Sequence, residues 1–188
     1  MKIPVVSLLG FILLGCSNAF AQLNSEERPD WQTIFDNYAA QGTIVVLDER
    51  KDNTKLMVFN EPRSKQRLPP ASTFKIPHAL FALDAGVVKD EFQVFPWDGV
   101  ERSFAIHNQD QDLRSSMRNS AVWVYELFGQ QIGEERARQY LNKIDYGNAD
   151  PSGDTSAYWI DGNLRITAQK QVQWLRKIYV NELPFDEA

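Results

Sequence analysis

A chain of 188 residues that is 43% hydrophobic and 24% charged has enough apolar material for one core and too balanced a composition for a disordered segment. Its formal charge of −5, with no basic stripe along it, argues against a nucleic-acid surface. Beyond the leader no stretch approaches the roughly 20 apolar residues of a membrane helix, so no span is expected in the mature chain, and the composition favours no particular oligomeric state.

Residues 1–21 read as an export signal. Lys2 supplies the positive start, residues 5–14 the apolar stretch, and Ala19-Phe20-Ala21 a small-residue cleavage site before Gln22. The mature protein, residues 22–188, is expected in the periplasm or secreted. Cys16 is the sole cysteine, and cleavage after Ala21 leaves no disulfide and no cysteine metal site. A competing reading takes Leu13-Leu14-Gly15-Cys16 as a lipoprotein box, with Cys16 as a lipidated terminus.

Residues 30–40 predict a helix with Trp31, Ile34, Phe35 and Tyr38 on one stripe, ended by Gly42. The β-branched run 43–47 and the run 56–59 flank a polar segment and predict a β-hairpin. Pro62, Pro69 and Pro70 punctuate the following loop. Residues 72–85 predict a helix capped by Gly86. Pro77 breaks a rule inside it, as a strained functional site or as a simple kink would. A loop-rich segment, 92–112, precedes two helices at 120–128 and 134–144, and 146–162 is rich in turns. Thr167 is a plausible N-cap for a last helix carrying Val172, Leu175, Ile178 and Tyr179. No repeat or linker divides the chain, which reads as one domain or part of one.

Ser72-Thr73-Phe74-Lys75 places a hydroxyl and an amine on one helical face, one turn apart. A serine hydroxyl needs an adjacent base to become a nucleophile. A lysine serves as that base only if burial keeps it neutral or chemistry converts it. Alone the motif is weak, since about one chance match is expected in a chain of this length. An N-cap serine beside a solvated lysine would give the same spacing. The two histidines, His78 and His107, have no accompanying cluster, so neither a triad nor a metal site is expected, and His78, six positions from Ser72, should point elsewhere. The acidic end, residues 186–188, reads as solvated.

Two further triplets follow in order: Ser120-Ala121-Val122 and Tyr146-Gly147-Asn148. An exported S-x-x-K followed by such motifs resembles the active-site serine penicillin-recognising enzymes, whose second motif commonly reads S-D-N. With Val122 in place of that asparagine, the pattern closely resembles the class D (oxacillinase-type) serine β-lactamases. The likeness extends through residues 42–46, 63–65, 70–86, 107–114, 123–126 and 158–160, and covers essentially 31–185. Asp161-Gly162 stands where the family more often has Glu-Gly.

The resemblance implies an α+β fold of the β-lactamase and transpeptidase type. It implies hydrolysis of a small-molecule β-lactam by attack of Ser72, through an acyl-serine intermediate. It implies that Lys75 is modified to N6-carboxylysine by carbon dioxide or bicarbonate, with no other cofactor and no metal, and that the carbamate is the general base. Ser120 would relay a proton to the leaving nitrogen, and Trp159 would donate to the carbamate. Phe74, Val122, Tyr146 and Asn148 would line the site. Bland readings stand beside these: Ser120 as an N-cap, Val122 and Trp159 as core, and Tyr146-Gly147-Asn148 as a turn.

The family's third motif, K-[ST]-G, does not occur: Lys170 and Lys177 are the lysines after Trp159, followed by Gln171-Val172 and Ile178-Tyr179. The expectation is a C-terminally shortened member, a helical region with an N-terminal hairpin and most of its antiparallel sheet missing, poorly folded or inactive as it stands. Two alternatives share the motifs: a β-lactam sensor that is acylated without turnover, and a cell-wall DD-peptidase.

Overall fold

The computed structural model describes residues 25–50, 54–154 and 156–185. The expected signal peptide, Cys16, Gln22 and the acidic end lie outside the described residues. Strand β1 (Ser25–Glu27) is followed by a short helix α1 (Gln32–Asp36) and the strands β2 (Ile44–Asp48) and β3 (Lys55–Phe59). The expected hairpin is present, with Val46 opposite Met57 in an antiparallel ladder. It is not alone. β1 pairs parallel to the other edge of β3, so the sheet has three strands in the order β1-β3-β2. The short polar sequence of β1, Ser25-Glu26-Glu27, carries no alternating apolar pattern from which a strand is read.

The predicted helix over 30–40 is shorter than its pattern. A 3₁₀ turn over Pro29–Trp31 leads into α1, and residues 37–39 form a turn. Two members of the expected apolar stripe, Ile34 and Tyr38, are exposed, while Phe35 stacks on Phe59 with ring centroids 4.9 Å apart.

After the one-turn helix α2 (Glu61–Ser64), the chain enters a 3₁₀ turn over Ala71–Phe74 and then helix α3 (Lys75–Asp84). Pro77 is thus the third residue of α3. There its missing N–H is one of the donors that lack an intrahelical partner in any case, so neither strain nor a kink is needed to explain it. The core lies where α3 packs on α5 (Val122–Ile132) and α6 (Glu134–Lys143), with Phe81, Val124, Tyr125, Phe128 and Leu141 essentially inaccessible. Each of these helices contributes an apolar stripe at helical spacing, which is what drives the three together.

Helix α4 (Leu113–Asn119) occupies a stretch between the loop-rich segment 92–112 and the helix expected from 120, where the sequence reading names no element. Asp112 and Ser115 form a reciprocal capping box that opens it. With serine rather than glutamate closing the box, and only seven residues to follow, the usual signature is faint. The last helix, α7 (Ala168–Tyr179), begins as expected, with the Thr167 hydroxyl accepting from the Lys170 N–H at 3.0 Å. Trp174 buries its face into the core, whereas Leu175 and Tyr179 stay exposed.

The turn-rich segment between α6 and α7 is held by backbone contacts. Leu68 and Ile166 form an antiparallel bridge, and Ala71 N–H donates to the Trp159 carbonyl at 3.1 Å. Gly147 has φ +57°, and a Cβ there would stand 2.2 Å from the Arg165 carbonyl oxygen, so glycine is required on both counts. The result ties residues 146–166 directly beneath the turn that carries Ser72.

Candidate active site

Ser72 sits in the exposed 3₁₀ turn, one turn before Lys75 at the start of α3. Its side chain does not cap the helix. The Lys75 Nζ lies 3.0 Å from Ser72 Oγ, and Ser120 Oγ lies 3.3 Å from the same atom on its other side. The three groups expected to carry the chemistry are therefore within hydrogen-bond reach of a single oxygen. The turn is fixed locally: Thr73 Oγ1 donates to the Pro70 carbonyl at 2.6 Å.

Lys75 is only 1% exposed although its amine meets a surface hydroxyl. Burial lowers its pKa from the ordinary lysine value, because desolvation penalises the ammonium. The Tyr125 ring centroid is 5.6 Å from Nζ. Burial in turn pushes the Tyr125 phenol up to about 12, so the ring stays neutral. The environment favours an uncharged amine at the position where a base is needed.

Ser120 is not an N-cap. It ends α4, at φ 56° and ψ 40°, in the left-handed region that a non-glycine residue adopts at a cost. The backbone holds it there: Ala121 N–H donates to the Ser116 carbonyl at 2.9 Å, closing the helix end. Helix α5 then starts at Val122, which is half-buried rather than fully core.

Beneath the lysine lies an aromatic box. Phe74 and Trp159 are stacked at 5.9 Å, and Tyr146 and Tyr158 each meet Phe74 edge-on at 5.4 Å. All four side chains are at or below 1% exposure. The Tyr146 hydroxyl donates to Gln171 Oε1 at 2.8 Å, anchoring the box to α7, and burial raises its pKa. Trp159 Nε1 is buried and, among the described residues, has no hydrogen-bond partner. Asn148 is engaged elsewhere: its Nδ2 donates to the Asn163 carbonyl at 2.9 Å and its Oδ1 accepts from the Arg165 N–H at 2.8 Å. It locks the loop that presents Trp159 rather than facing Ser72.

His78 packs into the aromatic box rather than against Ser72. It is wholly buried, with ring centroids 5.3 Å from Phe74 and 4.8 Å from Trp159. Its sequence position gave only the relation to Ser72. The relation to Trp159 depends on a chain crossing that no local pattern encodes. Among the described residues there is no cluster of three or more His, Cys, Asp or Glu suited to a metal ion, and no helix long and apolar enough to cross a membrane.

Comparison with known proteins identifies the family. The family described as the penicillin binding protein transpeptidase domain matches residues 40–183. The β-lactamase OXA-3 of Pseudomonas aeruginosa is 59% identical over 98% of this chain, which spans 67% of that relative's length. The solved class D β-lactamase BAT-2 superposes with a TM-score of 0.77 at 37% identity, over 91% of this chain and 68% of its own. The C-terminal domain of the Bacillus licheniformis BlaR penicillin receptor gives 0.80 at 38% identity, over 88% and 66%. With an α+β arrangement of that type and a serine, a buried lysine and a second serine gathered on one oxygen, the chain belongs to the transpeptidase-domain family and, within it, to the class D serine β-lactamases.

Proposed function

We propose that β-lactam hydrolysis in this protein runs through an acyl-Ser72 intermediate with Lys75, carboxylated on Nζ, as the general base. The observation that supports it most is the 3.0 Å approach of a buried, deprotonation-prone Lys75 amine to the Ser72 hydroxyl. A neutral amine attacks the carbon of carbon dioxide, forming an N–C bond and releasing a proton to solvent. The residues present fit the product. An anionic carbamate in an apolar box needs donors, and the orphaned Trp159 N–H is one.

Ser72 Oγ attacks the β-lactam carbonyl carbon while its proton passes to the base. The ring C–N bond then breaks, and the nitrogen takes a proton delivered through Ser120, whose Oγ is 3.3 Å from Ser72 Oγ. Water, deprotonated by the same base, attacks the acyl carbon and frees Ser72. The substrate is a small β-lactam, water is the second reactant, carbon dioxide or bicarbonate serves to modify Lys75, and the mature protein acts in the periplasm or outside the cell after cleavage behind Ala21.

A second reading is favoured by the likeness to the BlaR receptor domain: a sensor that is acylated and does not turn over. Mass spectrometry of a version extended to the length of its class D relatives, after brief exposure to a penicillin with and without bicarbonate, separates them. A penicilloyl adduct on Ser72 that decays faster with bicarbonate is expected. A persistent adduct indifferent to bicarbonate would establish the sensor, and no adduct on Ser72 would overturn both.

A further inference from the structure

The aromatic box contains a group that neither the fold nor the proposed chemistry accounts for. His78 is completely buried, and both of its ring nitrogens lack a hydrogen-bond partner among the described residues. A neutral imidazole always carries one N–H donor and one lone-pair acceptor, and burying such groups unpaired costs free energy. Phenylalanine would fill the same space among Phe81, Tyr125 and Phe128 without that penalty. An unpaired polar atom of this kind in a well-packed core calls for a functional explanation.

Its neighbours indicate one. His78 stands one turn after Lys75 on the same face of α3. Its ring meets the Trp159 indole edge-on, centroids 4.8 Å apart at 67°. Phe74 covers the indole from another side in stacked geometry. The ring centroids of Phe74 and His78 are themselves 5.3 Å apart, so the three rings pack mutually, and the indole N–H and the Tyr158 hydroxyl are also without partners among the described residues. Of the buried side-chain polar atoms without partners among the described residues, those of His78, Tyr158 and Trp159 lie in this ring group, and two others, Gln171 Nε2 and Trp174 Nε1, lie on α7.

We propose that His78 is a positioning residue that stabilises the carbamate form of Lys75 through the Trp159 indole it packs against. The inference rests on the carbamate reading above. The imidazole fixes the plane of the indole so that its N–H is aimed at the modified lysine. It also contributes a neutral dipole that responds to a negative charge in a dry site, where such interactions are strong. Burial holds the ring uncharged, with its pKa near 3, so it never competes as a cation.

The test uses the full-length protein and reads the Lys75 carbamate directly by NMR with ¹³C-bicarbonate, alongside thermal melting. His78→Phe is expected to melt at or above the parent temperature, because it removes unpaired polar atoms, yet to need about tenfold more bicarbonate for half-maximal carbamate, the order of one charge-assisted hydrogen bond. His78→Asn, which restores a donor and an acceptor, should stay closer to the parent than His78→Phe does. In a Trp159→Phe background the His78 exchange should have a smaller effect than in the parent, since the part that acts through the indole is removed. Should His78→Phe fail to fold, His78→Leu is read in its place with the same expectation. A bicarbonate requirement unchanged from the parent overturns the proposal while leaving the carbamate reading intact. No carbamate signal on Lys75 in the parent overturns both.

Discussion

Ser120 concentrates a conflict between stability and chemistry in one residue. Its φ of 56° suits glycine, and a serine there costs about 1 kcal/mol. Ser120→Gly is therefore expected to raise the melting temperature by about 2–4 °C, the shift that about 1 kcal/mol produces in a domain of this size. Ser120→Ala, which keeps the Cβ and loses only the hydroxyl, should not. Both should slow β-lactam turnover, because both remove the oxygen 3.3 Å from Ser72. Calorimetry and turnover measured together check it, and a Ser120→Gly protein no more stable than Ser120→Ala would refute the strain argument. His78 gives a second expectation. Its pKa is about 3 in the fold against 6.5 when free, so below pH 6.5 the unfolded chain binds a proton that the folded one refuses. Stability is then fully present above about pH 6.5 and falls as the pH drops toward 3, by about 1.4 kcal/mol per unit from this group alone. Chemical denaturation between pH 7 and 5 should show that slope in the parent and lose most of it in His78→Phe.

At the level of elements, the site depends on how short pieces are ended. Helix α4 exists to deliver Ser120 beside Ser72, and its first turn depends on the Asp112–Ser115 box, with Ser115 N–H donating to Asp112 Oδ1 at 2.6 Å. Asp112→Ala should cost about 1 kcal/mol and lower turnover more than a comparable loss at a remote helix, because a frayed α4 misplaces Ser120. Thermal melting and turnover of Asp112→Ala beside Thr167→Ala, which uncaps α7 instead, distinguish the two. Such ends also decide what was legible. Ser72, Lys75 and the helix that follows are readable because the hydroxyl, the amine and the apolar run are local. The hairpin 44–59 is readable from its β-branched runs. β1 was not, since a three-residue polar strand takes its identity from its partner β3. Ser120 was misread as a start because the strong apolar run of α5 begins just after it, while the faint cap of α4 hides the helix that it terminates. The contact of His78 with Trp159 joins residues 81 positions apart by a tertiary crossing, which spacing along the chain does not report.

For the whole molecule the sheet is the weak point. Among the described residues it has three strands, and β2 forms an edge of β-branched and apolar residues, Ile44-Val45-Val46-Leu47, with Val46 37% exposed. Between this strand and α7 lies a groove of about 730 Å³ lined by Val45, Leu47, Met57, Val172, Leu175 and Tyr179. Open apolar edges of this sort pair with other chains, and a small sheet needs further strands or a covering layer for independent stability. Arg176 to Glu49 at 2.8 Å ties α7 to the end of β2, but an ion pair about one-third exposed adds little. The K-[ST]-G motif is likewise absent from the sequence. A purified polypeptide of residues 22–188 is therefore expected to associate at micromolar concentration and to hydrolyse nitrocefin far more slowly than a version extended to the length of its class D relatives. Placing lysine at Val46 should reduce the association without restoring turnover, because it charges the edge but supplies no catalytic group. Light scattering and nitrocefin assays on the three proteins decide it. A monomeric polypeptide of residues 22–188 with turnover matching the extended version would show that the helical layer alone holds Ser72, Lys75 and Ser120 in working order.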